Sequence, residues 1–263
     1  MLRESLGVRT RGVEQQRGNN LVRFWRAQYG GVLARELVLL AGMLWVYKFV
    51  RYLGKDQIDA AFANAYRVLQ WEHWFALDSE TTLQRLVLPH RDLVVAMNRY
   101  YVSFHFIGTV AFLVWAFVRS LRDYRRIRRV LLAVTASSLC IHLLFPLAPP
   151  RMMPGFIDTM VLYGPNPYRS QAVREFANQF AAMPSLHVGW ALIVAYGVIR
   201  IAKSRARWLI LAHPFLTCMA VVLTANHYWL DGIVAAGLVA GAIWWLYRPE
   251  WVRRDVTQPA FAA

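Results

Sequence analysis

Cysteine, acidic side chains and ordinary soluble-protein polarity are all scarce in this chain. Two cysteines occur in 263 residues, Cys140 and Cys218, each inside an apolar run. They say nothing about redox compartment and fit no metal spacing. Asp and Glu number 15 against 30 Lys and Arg, for a formal net charge of +15. Charged residues reach only 17% while apolar ones reach 57%, above the roughly 45–50% of a soluble domain. Internal repeats and low-complexity linkers are missing, so the length suits one compact bundle rather than two domains. The first ~30 residues are polar and Arg-rich, without an apolar core followed by a small-residue cleavage site, so no signal peptide is expected.

What is present is long apolar runs, with a mean hydropathy of +0.31. A spanning helix needs about 20 apolar residues. Six segments qualify, near 35–53, 101–119, 130–147, 185–202, 208–226 and 228–247. The stretch 57–100 interleaves Trp71, Trp74, Phe75 and Leu77 with charges and reads as amphipathic interfacial helices. The expected fold is an all-α integral membrane bundle of six transmembrane helices with amphipathic interfacial helices. It divides into a basic tail over 1–32, a membrane catalytic domain over 33–247 and a C-terminal tail over 248–263.

The basic excess then reads as a topology signal and as contact with anionic lipid, so no nucleic-acid partner is expected. Nineteen of the 30 basic residues lie in the N-terminal tail, the 119–129 loop, the 200–207 loop and the C-terminal end, and eight lie in the alternate loops 54–100 and 151–184. Six spans place every rich cluster on one side. Both termini are therefore expected in the cytoplasm of a multi-pass plasma (inner) membrane protein, with the loops 54–100 and 151–184 outside.

Three pieces of chemistry converge on that outer face. In Phe145-Pro146-Leu147-Ala148-Pro149-Pro150-Arg151 the prolines end a helix and leave Arg151 on an irregular turn. Arginine is the preferred fork for phosphate, although an interfacial anchor is the plainer reading of this one. Met183-Pro184-Ser185-Leu186-His187 opens a span, with Ser185 as cap and His187 in the first turn. Such a helix start presents free amides to an anion. Asn226-His227-Tyr228-Trp229-Leu230-Asp231 opens the last span. His227 and Asp231 are four apart and share a helix face. A carboxylate there can accept the Nδ1 proton and leave Nε2 as nucleophile or base.

These motifs resemble the type 2 phosphatidic acid phosphatase superfamily, which also contains vanadium haloperoxidases. The general pattern is KxxxxxxRP, then PSGH, then SRxxxxxHxxxD. Pro184-Ser185-Leu186-His187-Val188-Gly189-Trp190-Ala191, the Ala-Pro-Pro-Arg turn and Asn226-His227-Tyr228 look like the inositol phosphorylceramide synthase-like branch. The resemblance covers roughly 57–247. It implies that His227 attacks phosphorus and becomes phosphohistidine, that Asp231 orients it and that His187 protonates the leaving oxygen. It also implies that Ser185 and Arg151 hold phosphate oxygens. Two superfamily cations are missing, because their positions hold Leu144 and Ala220-Val221. Either Arg169 or Arg174 replaces them, or the site takes a less charged phosphodiester.

The expected activity is therefore a lipid phosphotransferase acting on a phospholipid or polyprenyl phosphate, with a hydroxyl acceptor such as inositol. A phosphomonoester phosphatase is the near alternative. No cofactor and no metal is called for. A metal site built from His187, His227 and Asp231 would need a further ligand. A proton-coupled transporter would need polar residues spread along a pore rather than gathered at one interface. Asn98, Tyr101 and His105 share one helical face and read as site lining or interhelical packing. Glu72 and Glu80 read as scaffold salt bridges, and His73, His90, His142 and His213 as structural.

Overall fold

The computed structural model describes residues 57–170 and 179–256, with side chains through Tyr247 apart from Tyr168, and part of 31–49. Two compact units divide the chain, Met1–Phe49 and Val50–Ala263. In the first, the described positions are helical, and Trp45 stacks on Phe49 with ring centroids 5.6 Å apart. The expected span at 35–53 is described only at these positions, and the tail up to residue 30 lies outside the described residues.

The second unit is helical, and among the described residues its only extended pairing is an isolated bridge between Leu147 and Ala181. Its helices are α1 (Ile58–Trp74), α2 (Glu80–Val87), α3 (Arg91–Arg99), α4 (His105–Arg119), α5 (Leu121–Leu144), α6 (Thr159–Tyr163), α7 (Leu186–Ile201), α8 (Ala212–Leu223) and α9 (Trp229–Val256). A π-helical turn, Tyr100–Phe104, fuses α3 to α4, and a 3-10 turn, Arg205–Leu211, leads into α8.

Four helices are long and apolar enough to cross a membrane: Arg91–Arg119, Leu121–Leu144, Arg205–Leu223 and Trp229–Tyr247. Their outward faces carry exposed Ile107, Val110, Val114, Val118, Phe215, Ile233 and Trp245. Such a surface suits hydrocarbon rather than water, so this is a membrane protein. The expected span at 185–202 is α7, which is apolar but has only 16 residues. At 1.5 Å per residue it covers about 24 Å, less than a ~30 Å hydrocarbon core. Its buried residues, among them Val188, Gly189, Ala191, Ile193, Val194 and Gly197, surround the helix, because α4, α5, α8 and α9 all pack on it.

Two expected boundaries are corrected. The expected start at 101 lies inside a helix that begins at Arg91, so the interfacial stretch stops ten residues earlier than expected. No proline interrupts 91–119, and the polar Asn98, His105 and Thr109 turn inward instead of ending the helix. The expected 119–129 loop is largely helix. Only Ser120 breaks it, in extended conformation, and its Oγ accepts from the amide of Asp123 at 3.3 Å. Arginine is a good helix former, and a Ser with an acid three residues later is a helix start.

α4 leads away from the end where α3 begins, α5 returns, α7 leads away, α8 returns and α9 leads away. One end therefore collects the 145–151 segment, the start of α7 and the 224–228 turn. The other end holds the links at 120 and 202–204. Between them lies a core of Phe112, Ile127, Val130, Val134, Ile193 and Val239. A Cβ on Gly197 would overlap the Phe112 ring and come within 2.9 Å of Ile127 Cδ1, so glycine is what lets α4, α5 and α7 meet. At the collecting end α1 lays Ala61, Ala65 and Val68 over Leu147, Ala148, Met153 and Met183. The small Ala61 lets its carbonyl accept from the amide of Ala148 at 3.1 Å, and Asn64 Nδ2 donates to the Pro146 carbonyl at 2.8 Å.

Candidate active site

α8 ends in a Schellman turn. The amide of Asn226 donates to the Val221 carbonyl at 2.8 Å and that of Ala225 to the Val222 carbonyl at 2.9 Å, with Ala225 at φ +55°. The turn delivers Asn226 and His227 into the interior, where they are 2% and 4% exposed. Arg151 is brought to the same turn. Its amide donates to the Ala225 carbonyl at 2.7 Å and its Nη1 donates to Asn226 Oδ1 at 3.0 Å. Its Nε lies 3.5 Å from Asp158 Oδ2. Asp158 also caps α6, its Oδ1 accepting from the amides of Met160 and Val161.

His227 Nδ1 lies 2.9 Å from the Ala182 carbonyl and 3.1 Å from Asp231 Oδ2. A carbonyl oxygen only accepts, so Nδ1 carries the hydrogen, and in the neutral ring Nε2 keeps its lone pair. Asp231 is fully buried and also takes the amide of Tyr228 at 3.0 Å. Its own backbone carbonyl accepts from the amide of Ser185 at 3.0 Å, which ties the start of α9 to the start of α7.

At that start Ser185 is the N-cap, its Oγ accepting from the amide of Val188 at 3.3 Å. The amides of Leu186 and His187 find no acceptor among the described residues. They are the orphan donors of a helix N-terminus. The His187 ring faces that of His227, with centroids 5.6 Å apart, and stacks on Tyr101 at 4.3 Å. His105 lies 4.9 Å from His187 by the same measure. His187 Nε2 and His105 Nδ1 are buried and have no hydrogen-bond partner among the described residues.

The structure thus gathers His227, Asp231, His187, Ser185, Arg151, Tyr101 and His105 at one end of the bundle. It takes up the polar atoms of Asn98 elsewhere. Asn98 Nδ2 donates to the carbonyls of Thr159 and Gly164, and its Oδ1 accepts from Thr159 Oγ1, so it ties the α6 loop to α3. Arg169 is exposed on the 3-10 turn Pro167–Arg169. Arg174 lies outside the described residues. Among the described residues no three His, Cys, Asp or Glu side chains are grouped to hold a metal.

Sequence reasoning missed Asn226, Asp158 and the Ala182 carbonyl as partners. Asn226 stood inside the quoted motif, and Asp158 is a cap residue ahead of a short apolar run. Nothing in the sequence signals the carbonyl. Glu72 and Glu80 are corrected: neither forms an ion pair among the described residues, and both accept from backbone amides at the start of α9.

Among the curated proteins and the solved structures compared, none matches the chain. A family model does. It spans residues 66–245, more than half of the 263, and takes in the 145–151 turn, the PSLH start of α7 and the His227–Asp231 pair. With that match, the chain belongs to the PAP2 superfamily.

Proposed function

We propose that this protein is a lipid-phosphate phosphotransferase that works through a phosphohistidine on His227. Membership of the superfamily supports lipid phosphatase or phosphotransferase chemistry in general. The observation that carries the finer reading is the double hold on His227 Nδ1 by the Ala182 carbonyl and Asp231, which fixes one tautomer and frees Nε2 for attack. In the first half-reaction Nε2 bonds to phosphorus, the bond from phosphorus to the leaving oxygen breaks, and His187 donates a proton to that oxygen. In the second, an acceptor hydroxyl attacks phosphorus, His187 takes its proton, and the phosphorus–nitrogen bond breaks. Arg151 and the amides of Leu186 and His187 hold the non-bridging oxygens, where charge grows in the transition state.

The donor is a phospholipid or polyprenyl phosphate drawn from the membrane, and the acceptor is a small alcohol, inositol among the candidates. Local charge supports a phosphodiester donor. Arg151 is already paired with Asp158, and Asp231 adds a second acid, so little positive charge is available for a doubly charged phosphomonoester. The six-span arrangement, with both termini cytoplasmic and the site at the outer face of the plasma membrane, goes with this reading. Purified protein incubated with labelled phospholipids and polyprenyl phosphates, with and without inositol, should give more transferred product from a phospholipid donor than free head-group phosphate. Inorganic phosphate alone, released from monoesters whatever alcohol is added, would make the protein a phosphatase.

A further inference from the structure

Helix α9 carries Asp231 in its first turn and follows directly from His227, yet no Ser, Thr or Asn of its own caps it. Three successive amides at its start are taken by carboxyl oxygens instead. Tyr228 donates to Asp231 Oδ2 at 3.0 Å, Trp229 to Glu80 Oε1 at 3.4 Å and Leu230 to Glu72 Oε1 at 2.9 Å. Glu72 comes from the last turn of α1 and Glu80 opens α2, so two otherwise separate helices meet on the amides of a third. Both glutamates are buried, at 0% and 2% exposure, their Oε1 atoms sit on successive amides of one helix turn, and Glu72 Oε2 is buried with no hydrogen-bond partner among the described residues. Two charged carboxylates buried on adjacent amides, with no ion pair among the described residues, repel each other and leave an oxygen without solvation. A single proton on the pair relieves both costs.

We propose that Glu72 and Glu80 share a single proton and together act as a positioning pair, setting the start of α9 and through it His227 and Asp231. Burial, and then the neighbouring Glu80, raise the Glu72 carboxyl from its ordinary 4.5 to about 9. The groups facing Glu72 are Glu80 on α2, Asp231 on α9 and Tyr228 just before α9, and none of them is a cation. One proton quenches the repulsion, and the remaining charge faces the positive end of the α9 dipole. The catalytic consequence rests on the function proposed above, whereas the shared proton does not.

The test uses the full-length protein in detergent. Infrared difference spectra between wild type and Glu72→Gln at pH 7 should contain the C=O stretch of a protonated carboxyl, and that band should fade as pH rises through about 9. Thermal stability supplies a second readout. The folded protein holds a proton that the unfolded chain gives up above pH 4.5, so stability should fall from there to about 9, and Glu72→Gln should flatten that slope. In catalysis Glu72→Gln, which keeps an acceptor for Leu230 and a donor for Glu80, should stay near wild type without an alkaline limb from this group. Glu72→Ala should lower kcat about ten- to hundred-fold with little change in KM. Absence of the carboxyl band at pH 7, or an unchanged stability slope in Glu72→Gln, would overturn the shared proton whatever reaction the protein catalyses. A Glu72→Gln as impaired as Glu72→Ala would overturn the positioning claim.

Discussion

The imidazole of His227 is gripped from two sides, by Asp231 Oδ2 at 3.1 Å and by the Ala182 carbonyl at 2.9 Å, and both hold the same nitrogen. The two grips are not equivalent. Asp231 also satisfies the buried amide of Tyr228, while among the described residues the Ala182 carbonyl holds only the ring, its amide donating to the Leu147 carbonyl at 3.4 Å.

That inequality predicts a graded set of variants. His227→Ala should abolish turnover. Asp231→Asn keeps a side-chain acceptor for Tyr228 and leaves the Ala182 grip in place, so it should fold yet lose about 10²–10⁴-fold in kcat. Asp231→Ala should in addition destabilise by about 1–3 kcal/mol, because a buried amide loses its partner. His187→Ala should slow lipid substrates far more than aryl phosphates, whose leaving groups need no proton. Equal losses on both substrate types would remove His187 from the acid position.

Ala225 makes a conformational prediction. Its φ of +55° belongs to the left-handed region, which costs a non-glycine residue about 1–2 kcal/mol. Ala225→Gly relieves that strain but removes a buried methyl worth about 0.8 kcal/mol and adds chain entropy to the unfolded state. The terms nearly cancel, so thermal unfolding should change by less than about 1 kcal/mol. Ala225→Val places a β-branched side chain at the same φ and should destabilise by more than about 2 kcal/mol. Similar stabilities for the Gly and Val variants would contradict the Schellman geometry.

The alternating course of the helices predicts a topology. Reporters at Ser120 and Lys203, in the two links at the end away from His227, should both read cytoplasmic, and one at Pro165 should read outside. A cytoplasmic Pro165 would reverse the orientation.

Much of the candidate site is readable along the chain because its chemistry sits at helix starts. Pro184-Ser185 announces a cap, and four residues separate His227 from Asp231, so both motifs carry their own geometry. The partners that tune them are not local. Glu72 and Glu80 reach amides 158 and 149 positions away, and the Ala182 carbonyl has no side-chain signature at all. The helix boundaries at Arg91 and Ser120 escaped for another reason. In sequence a cluster of charges looks like the end of an apolar run, whereas arginine continues a helix readily and Ser120 with Asp123 supplies the actual break. Asn98 shows a third limit. Helical spacing puts it on the face of Tyr101 and His105, but only the fold reveals that Thr159 and Gly164 occupy its polar atoms.

The central claim is that His227 bonds covalently to phosphorus. Rapid acid-free quench of the purified protein with a phosphorus-labelled donor, followed by peptide mass spectrometry, tests it most directly. The account predicts label on His227 that is stable to base and labile to acid, accumulates in His187→Ala, which is slow to activate the acceptor, when an aryl phosphate is the donor, and is absent from His227→Ala. Turnover with no covalent label on His227 at any quench time, or label on another residue, would contradict it.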